Sequence, residues 1–110
     1  MEQINKQSVI WALEELASRT EQVRLWLSDG STGEVSSFTE AICGVFDDGG
    51  VSRALESDRL TNELATRFKN LETYIGKIPE DLPPQEQIDH PAMKDIAKIS
   101  QELMKMLAED

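Results

Sequence analysis

The chain has 110 residues, 39% of them hydrophobic, with a pI near 4.5 and a formal net charge of −10. Such a length suits a single domain that buries its own core. The acidity sets its surfaces against nucleic-acid phosphates and anionic lipid, which argues against direct binding to either, and the lone Cys43 excludes an internal disulfide.

Val9, Leu13, Leu16, Thr20, Val23 and Leu27 recur at spacings of four and three. This predicts a first helix over residues 5–28, widened by Ala12, Ala17 and Trp26 and stopped by Gly30. Residues 28–37 follow as a flexible linker rich in Ser, Gly and Thr. Ser37 and Glu40 match a capping box that opens a short second helix, with Phe38, Ala41, Ile42, Val45 and Phe46 on one face. That helix ends at Asp47, Asp48, Gly49 and Gly50.

Leu60, Leu64, Phe68, Leu71, Ile75 and Ile78 form the next stripe, with Val51, Ala54 and Leu55 slightly out of phase before it. Ser57, Asp58 and Thr61 are all suitable caps, so a bend or break near Ser57 is open in this third helix, which Gly76 terminates. The Pro-rich acidic loop 77–90 comes next, with room for one helical turn after Pro84. Asp89 or His90 caps the last helix and Pro91 lies in its first turn. Ile96, Ile99, Leu103 and Met106 line one stripe of that helix, and Met93, Ala97, Met104 and Leu107 line a second beside it.

No segment sustains the period-two alternation of a strand. The expected fold is all-α: one domain over residues 1–110, built as a four-helix, up-down-up-down bundle of three long helices and one short one. In that topology the linker 28–37 and the loop 77–90 fall at one end.

The charge is uneven. Residues 25–52 carry Asp29, Glu34, Glu40, Asp47 and Asp48 and no Lys or Arg; residues 78–93 carry Glu80, Asp81, Glu86 and Asp89, again with no Lys or Arg. The long helices are nearly neutral. This weakens a reading as a DNA mimic, which needs closely spaced charge along an extended surface, and marks Asp29, Glu34, Glu80, Asp81, Glu86 and Asp89 as an acidic end.

Little else points to chemistry. Asp29, Ser31 and Glu40 fall at positions 1, 3 and 12 of a calcium loop, but Gly33 stands where position 5 needs a side-chain oxygen and Glu34 where position 6 needs glycine. Gly30 and Gly33 are not followed by the Gly-Lys-Ser/Thr of a phosphate loop. The single histidine, His90, has no Glu-x-x-His partner set, and with Cys43 it supplies two of the preferred zinc ligands at most. Glu40, Asp47 and Asp48 lie near Cys43 in sequence and oppose a thiolate, so Cys43 reads as a small buried hydrophobe. Glu14 and Glu15 point about 100° apart and read as a solvated face. No metal, no cofactor and no catalytic residue is expected; the chain reads as a non-enzyme.

Two features suggest a protein partner. Trp11 and Leu25 lie two heptads apart, away from the main stripe, and share one face of the predicted first helix. An exposed Trp is a natural interface anchor, although large aromatics more often pack against their own chain. The paired stripes on the last helix are either wedged between two neighbours, the favoured reading, or turn one stripe, with Met93, Met104 and Leu107, to a second chain.

The expected function is a protein–protein interaction module that self-associates, with a homodimer as its simplest form. The alternative is an acidic inhibitor or immunity-type partner of a basic, nucleic-acid-processing protein, its carboxylates set in that protein's basic groove. Residues 1–7 lack a basic segment leading into an apolar core, and no run approaches the roughly 20 apolar residues of a membrane helix, so the expected location is cytoplasmic.

Overall fold

The computed structural model describes residues 4–31 and 33–109. Residues 1–3 of the segment read for a secretory signal, Thr32 of the linker, and residue 110 of the expected domain lie outside the described residues. The described residues are all-helical, with α1 Lys6–Ala17, α2 Arg19–Trp26, α3 Phe38–Cys43, α4 Val51–Glu56, α5 Asn62–Ile75, α6 Pro84–Ile88 and α7 Ala92–Glu109. A π-helical segment, Gly44–Asp48, continues α3. The expected three long helices and one short one are therefore replaced by seven α-helices among the described residues.

The largest departure is in the first helix, which breaks at Ser18. That residue is extended (φ −117°, ψ 111°) and caps α2, its hydroxyl accepting from the Glu21 amide at 3.2 Å. Serine competes with a helix for backbone hydrogen bonds in this way. A break leaves carbonyls at the end of α1 without donors, and Gln22 supplies them: its Nε2 donates to the carbonyls of Glu15 at 3.0 Å and Leu16 at 2.9 Å. The break also resets the helical phase. Val9, Leu13 and Leu16 are buried as expected, but in α2 the buried residues are Gln22 and Trp26, while Thr20, Val23 and Leu27 are exposed.

The other elements start and stop close to where the sequence places them. Ser37 Oγ accepts from the Glu40 amide at 3.0 Å and opens α3. Gly50, at φ +83°, turns the chain into α4. The third predicted helix breaks after Glu56; Thr61 caps α5 and Gly76 ends it. The turn after Pro84 is α6, and His90 Nδ1 accepts from the Ala92 amide at 3.1 Å at the start of α7.

The core collects Val9, Leu13 and Leu16 from α1, Phe38 and Val45 from the α3 segment, Phe68 and Leu71 from α5, and Ile96 and Leu103 from α7. Phe46 meets Phe68 edge-on at 6.3 Å, and Trp26 tilts against Phe38 at 5.8 Å. α7 packs on both α1 and α5. This is the wedged arrangement, and it explains the double stripe of α7. α1 is pinned to the π-helical segment, where the Asn5 amide donates to the Gly49 carbonyl at 2.8 Å.

Candidate interaction surface

Trp11 projects from the outer face of α1 and is 64% exposed. On one side it borders an open groove of about 610 Å³ whose walls include Glu14, Ala17 and Glu21 on the first two helices and Gln101 and Met104 on α7. On its other side a second groove runs toward Ser36, Thr39, Glu40 and Cys43. The indole thus stands as a ridge between two depressions, held by a helix whose opposite face is core.

Leu25 lines neither groove beside Trp11. The break at Ser18 interrupts the helix on which the 14-residue spacing was counted; Leu25 is half-buried in α2, and its carbonyl accepts from the Ser36 amide at 3.2 Å. Of the three α7 residues expected at an interface, Met104 lines the Trp11 groove. Met93 and Leu107 are buried in the chain's own core, because α7 is covered on two sides.

Glu15 corrects the expectation of a solvated pair. Glu14 is exposed, but Glu15 Oε2 accepts from Trp26 Nε1 at 2.6 Å and from the Ser36 hydroxyl at 2.7 Å. Its carboxylate fastens α1 to the end of α2 and to the linker. The pairing depends on the break at Ser18, so helical periodicity carries no sign of it.

The six acidic-end residues are exposed, but they are not equally free. Glu34 pairs with Arg24, which also binds Glu21 at 2.7 Å. The Arg24 hydrogen bond holds the Glu21 carboxyl below its usual range, and Glu21 and Glu34 together raise the Arg24 guanidinium. Asp89 accepts from Gln85 at 2.9 Å and pairs with Arg19 at 2.7 Å, and these two partners lower its pKa in that order. Asp29 accepts from the Ser31 amide at 2.9 Å, which lowers its carboxyl as well. Glu80 accepts from Thr39 Oγ1 at 2.8 Å, joining the loop to the start of α3. Asp81 and Glu86 complete the set. The acidic stretches thus flank α2, whose two arginines take up a carboxylate from each.

Cys43 is half-buried, and its thiol is pushed up by burial first and then by Asp47, Asp48 and Glu80. Among the described residues no three His, Cys, Asp or Glu side chains cluster closely enough to hold a metal ion, and no helix is long and apolar enough to cross a membrane.

Two groups of surface residues were not singled out from the sequence. Val23 and Leu27, read from the sequence only as part of the apolar stripe, are exposed with Val35, the first two around a shallow groove beside Arg24 and Glu34. On α7, Lys94, Lys98, Gln101 and Lys105 are all exposed. Their spacings of four, three and four set them on one face, and that periodicity was available in the sequence. Of these, Gln101 lines the Trp11 groove, and Lys94 lines a second cleft that Ala17, Met93 and Ala97 share. Comparison with protein-family models, with curated proteins and with solved structures matches this chain to none.

Proposed function

We propose that the chain is a non-catalytic, cytoplasmic protein-interaction module that engages its partner through the face centred on Trp11. The observation that carries this reading is the 64% exposure of that indole on a helix anchored in the core. Trp is the residue most enriched among interface hot spots, because it removes a large apolar surface from water with little loss of side-chain freedom. Ala17 and Met104 extend the apolar area into the adjoining groove, and Glu14 and Glu21 supply a polar rim.

The second reading, an acidic inhibitor of a basic nucleic-acid-processing protein, draws support from exposed Asp29, Asp81 and Glu86. It is the weaker of the two, since Glu34 and Asp89 already have arginine partners within the chain.

A photo-reactive benzoylphenylalanine at position 11, illuminated in living cells, tests the preferred reading. A covalent adduct with a protein is expected there and not from the same label at exposed Lys69 on α5. Equal labelling at the two positions, or none at either, rejects it. Trp11→Ala should abolish the association while changing unfolding free energy by less than about 0.5 kcal/mol, as for an exposed side chain outside the core.

A further inference from the structure

We propose that the partner on the Trp11 face is a second copy of this chain, docked about a two-fold axis parallel to α1 and α7; this rests on the reading of that face as an interaction surface. Trp11 and Ala17 both border the groove that Gln101 and Met104 line, and Ala17, later in α1, also borders a cleft with Met93 and Ala97, earlier in α7, which Trp11 does not reach. The two helices therefore run antiparallel, side by side. A two-fold axis along their common direction exchanges left and right but preserves height. It lays α1 of one copy over α7 of the other at the same level. Trp11 of one copy then covers Gln101 and Met104 of the other, twice over, as an isologous contact requires.

Charge selects this occupant. The α1 side of the groove carries Glu14; on α7, exposed Lys98 lies three residues before groove-lining Gln101 and so on the same helix face, with Lys94 and Lys105 a turn or two to either side. Among the described residues, Glu14 and these lysines take no part in the ion pairs Arg19–Asp89, Arg24–Glu21, Arg24–Glu34 and Arg67–Glu102. A face of one sign repels itself across a two-fold axis; a face with an acidic row beside a basic row attracts itself. The two-fold operation brings Glu14 of each copy within reach of Lys98 of the other. The acidic stretches 25–52 and 78–93 disfavour self-contact elsewhere, because the chain as a whole is at −10.

Sedimentation equilibrium over a concentration series should show the mass rising from 12.4 kDa toward twice that value. Glu14→Lys and Lys98→Glu should each weaken the dimer roughly tenfold, since each turns two attractive pairs into two repulsive ones. An equimolar mixture of the two variants should recover the mass, because both contacts of the mixed dimer are again of opposite sign. A 12.4 kDa monomer at millimolar concentration overturns the proposal, as does a mixture no heavier than its components. A position-11 adduct to a different protein from a chain that stays monomeric removes the second copy and leaves the interaction module standing; no adduct at all removes the module itself.

Discussion

Gln22 is only 1% exposed, and its amide nitrogen bonds the carbonyls of Glu15 and Leu16 where α1 stops. Its Oε1 has no hydrogen-bond partner among the described residues. Since a buried polar group stripped of its partner costs about 1–3 kcal/mol, Gln22→Leu should destabilise the protein by about 2 kcal/mol although it adds a hydrophobe to the interior. Urea unfolding would show a lower midpoint at unchanged slope. Glu15 acts similarly at longer range, by accepting from Trp26 and Ser36. Neither residue was legible as structural. In an unbroken helix both read as polar surface, and only the turn at Ser18 brings them to their partners. Trp11 could be picked out from its position off the apolar stripe, but its exposure depended on what α3 and α7 left uncovered.

At the level of elements, local chemistry sufficed wherever a cap or breaker acts within a turn. Ser37, Thr61, Gly76 and Pro84 lie at the ends of helices as their side chains or ring geometry dictate. Residues 44–48 follow a different rule. There the helix widens to π geometry, and the chain reaches Gly49 with its backbone against α1. A Cβ on Gly49 would meet Val9 Cγ2 and come within 2.5 Å of the Val45 carbonyl and 2.8 Å of the Gly44 carbonyl. Gly49→Ala should therefore cost about 3 kcal/mol by overpacking, read as a fall in thermal midpoint. The Gly49-Gly50 pair announced a stop; the close approach to Val9 belongs to the packing of α1 on this segment, which involves residues forty positions apart. The double stripe of α7 illustrates the same limit. Its two faces were plain in the sequence, and whether the second met α1 or another chain was decided by the fold.

Across the whole molecule, the acidic stretches are tied to the helical frame through α2. Asp89, held by Gln85 and Arg19, has a carboxyl lowered from its usual range. The folded state therefore releases that proton more readily than the unfolded one. The contribution to stability is present above the ordinary carboxylate pKa of about 3.9 and is lost as pH falls through the lower folded value. Asp89→Asn should lower the thermal midpoint slightly at pH 7, and the gap to wild type should close as pH falls through the lowered Asp89 value, since neither side chain is then charged. A gap that persists at acid pH would show that Asp89 acts through packing or hydrogen bonding alone.

Helical class, the approximate extents of α3, α5, α6 and α7, and the separation of acid from the long helices were all determined by the sequence itself. Each rests on interactions within one or two turns or on residue counts. The break at Ser18, the burial of Gln22 and Trp26 in place of Val23 and Leu27, and the exposure of Trp11 beside α7 were decided by the tertiary structure. A serine can sit within a helix or cap a new one at similar cost, and the choice falls to whichever arrangement lets distant side chains close the core and satisfy the carbonyls that the break exposes.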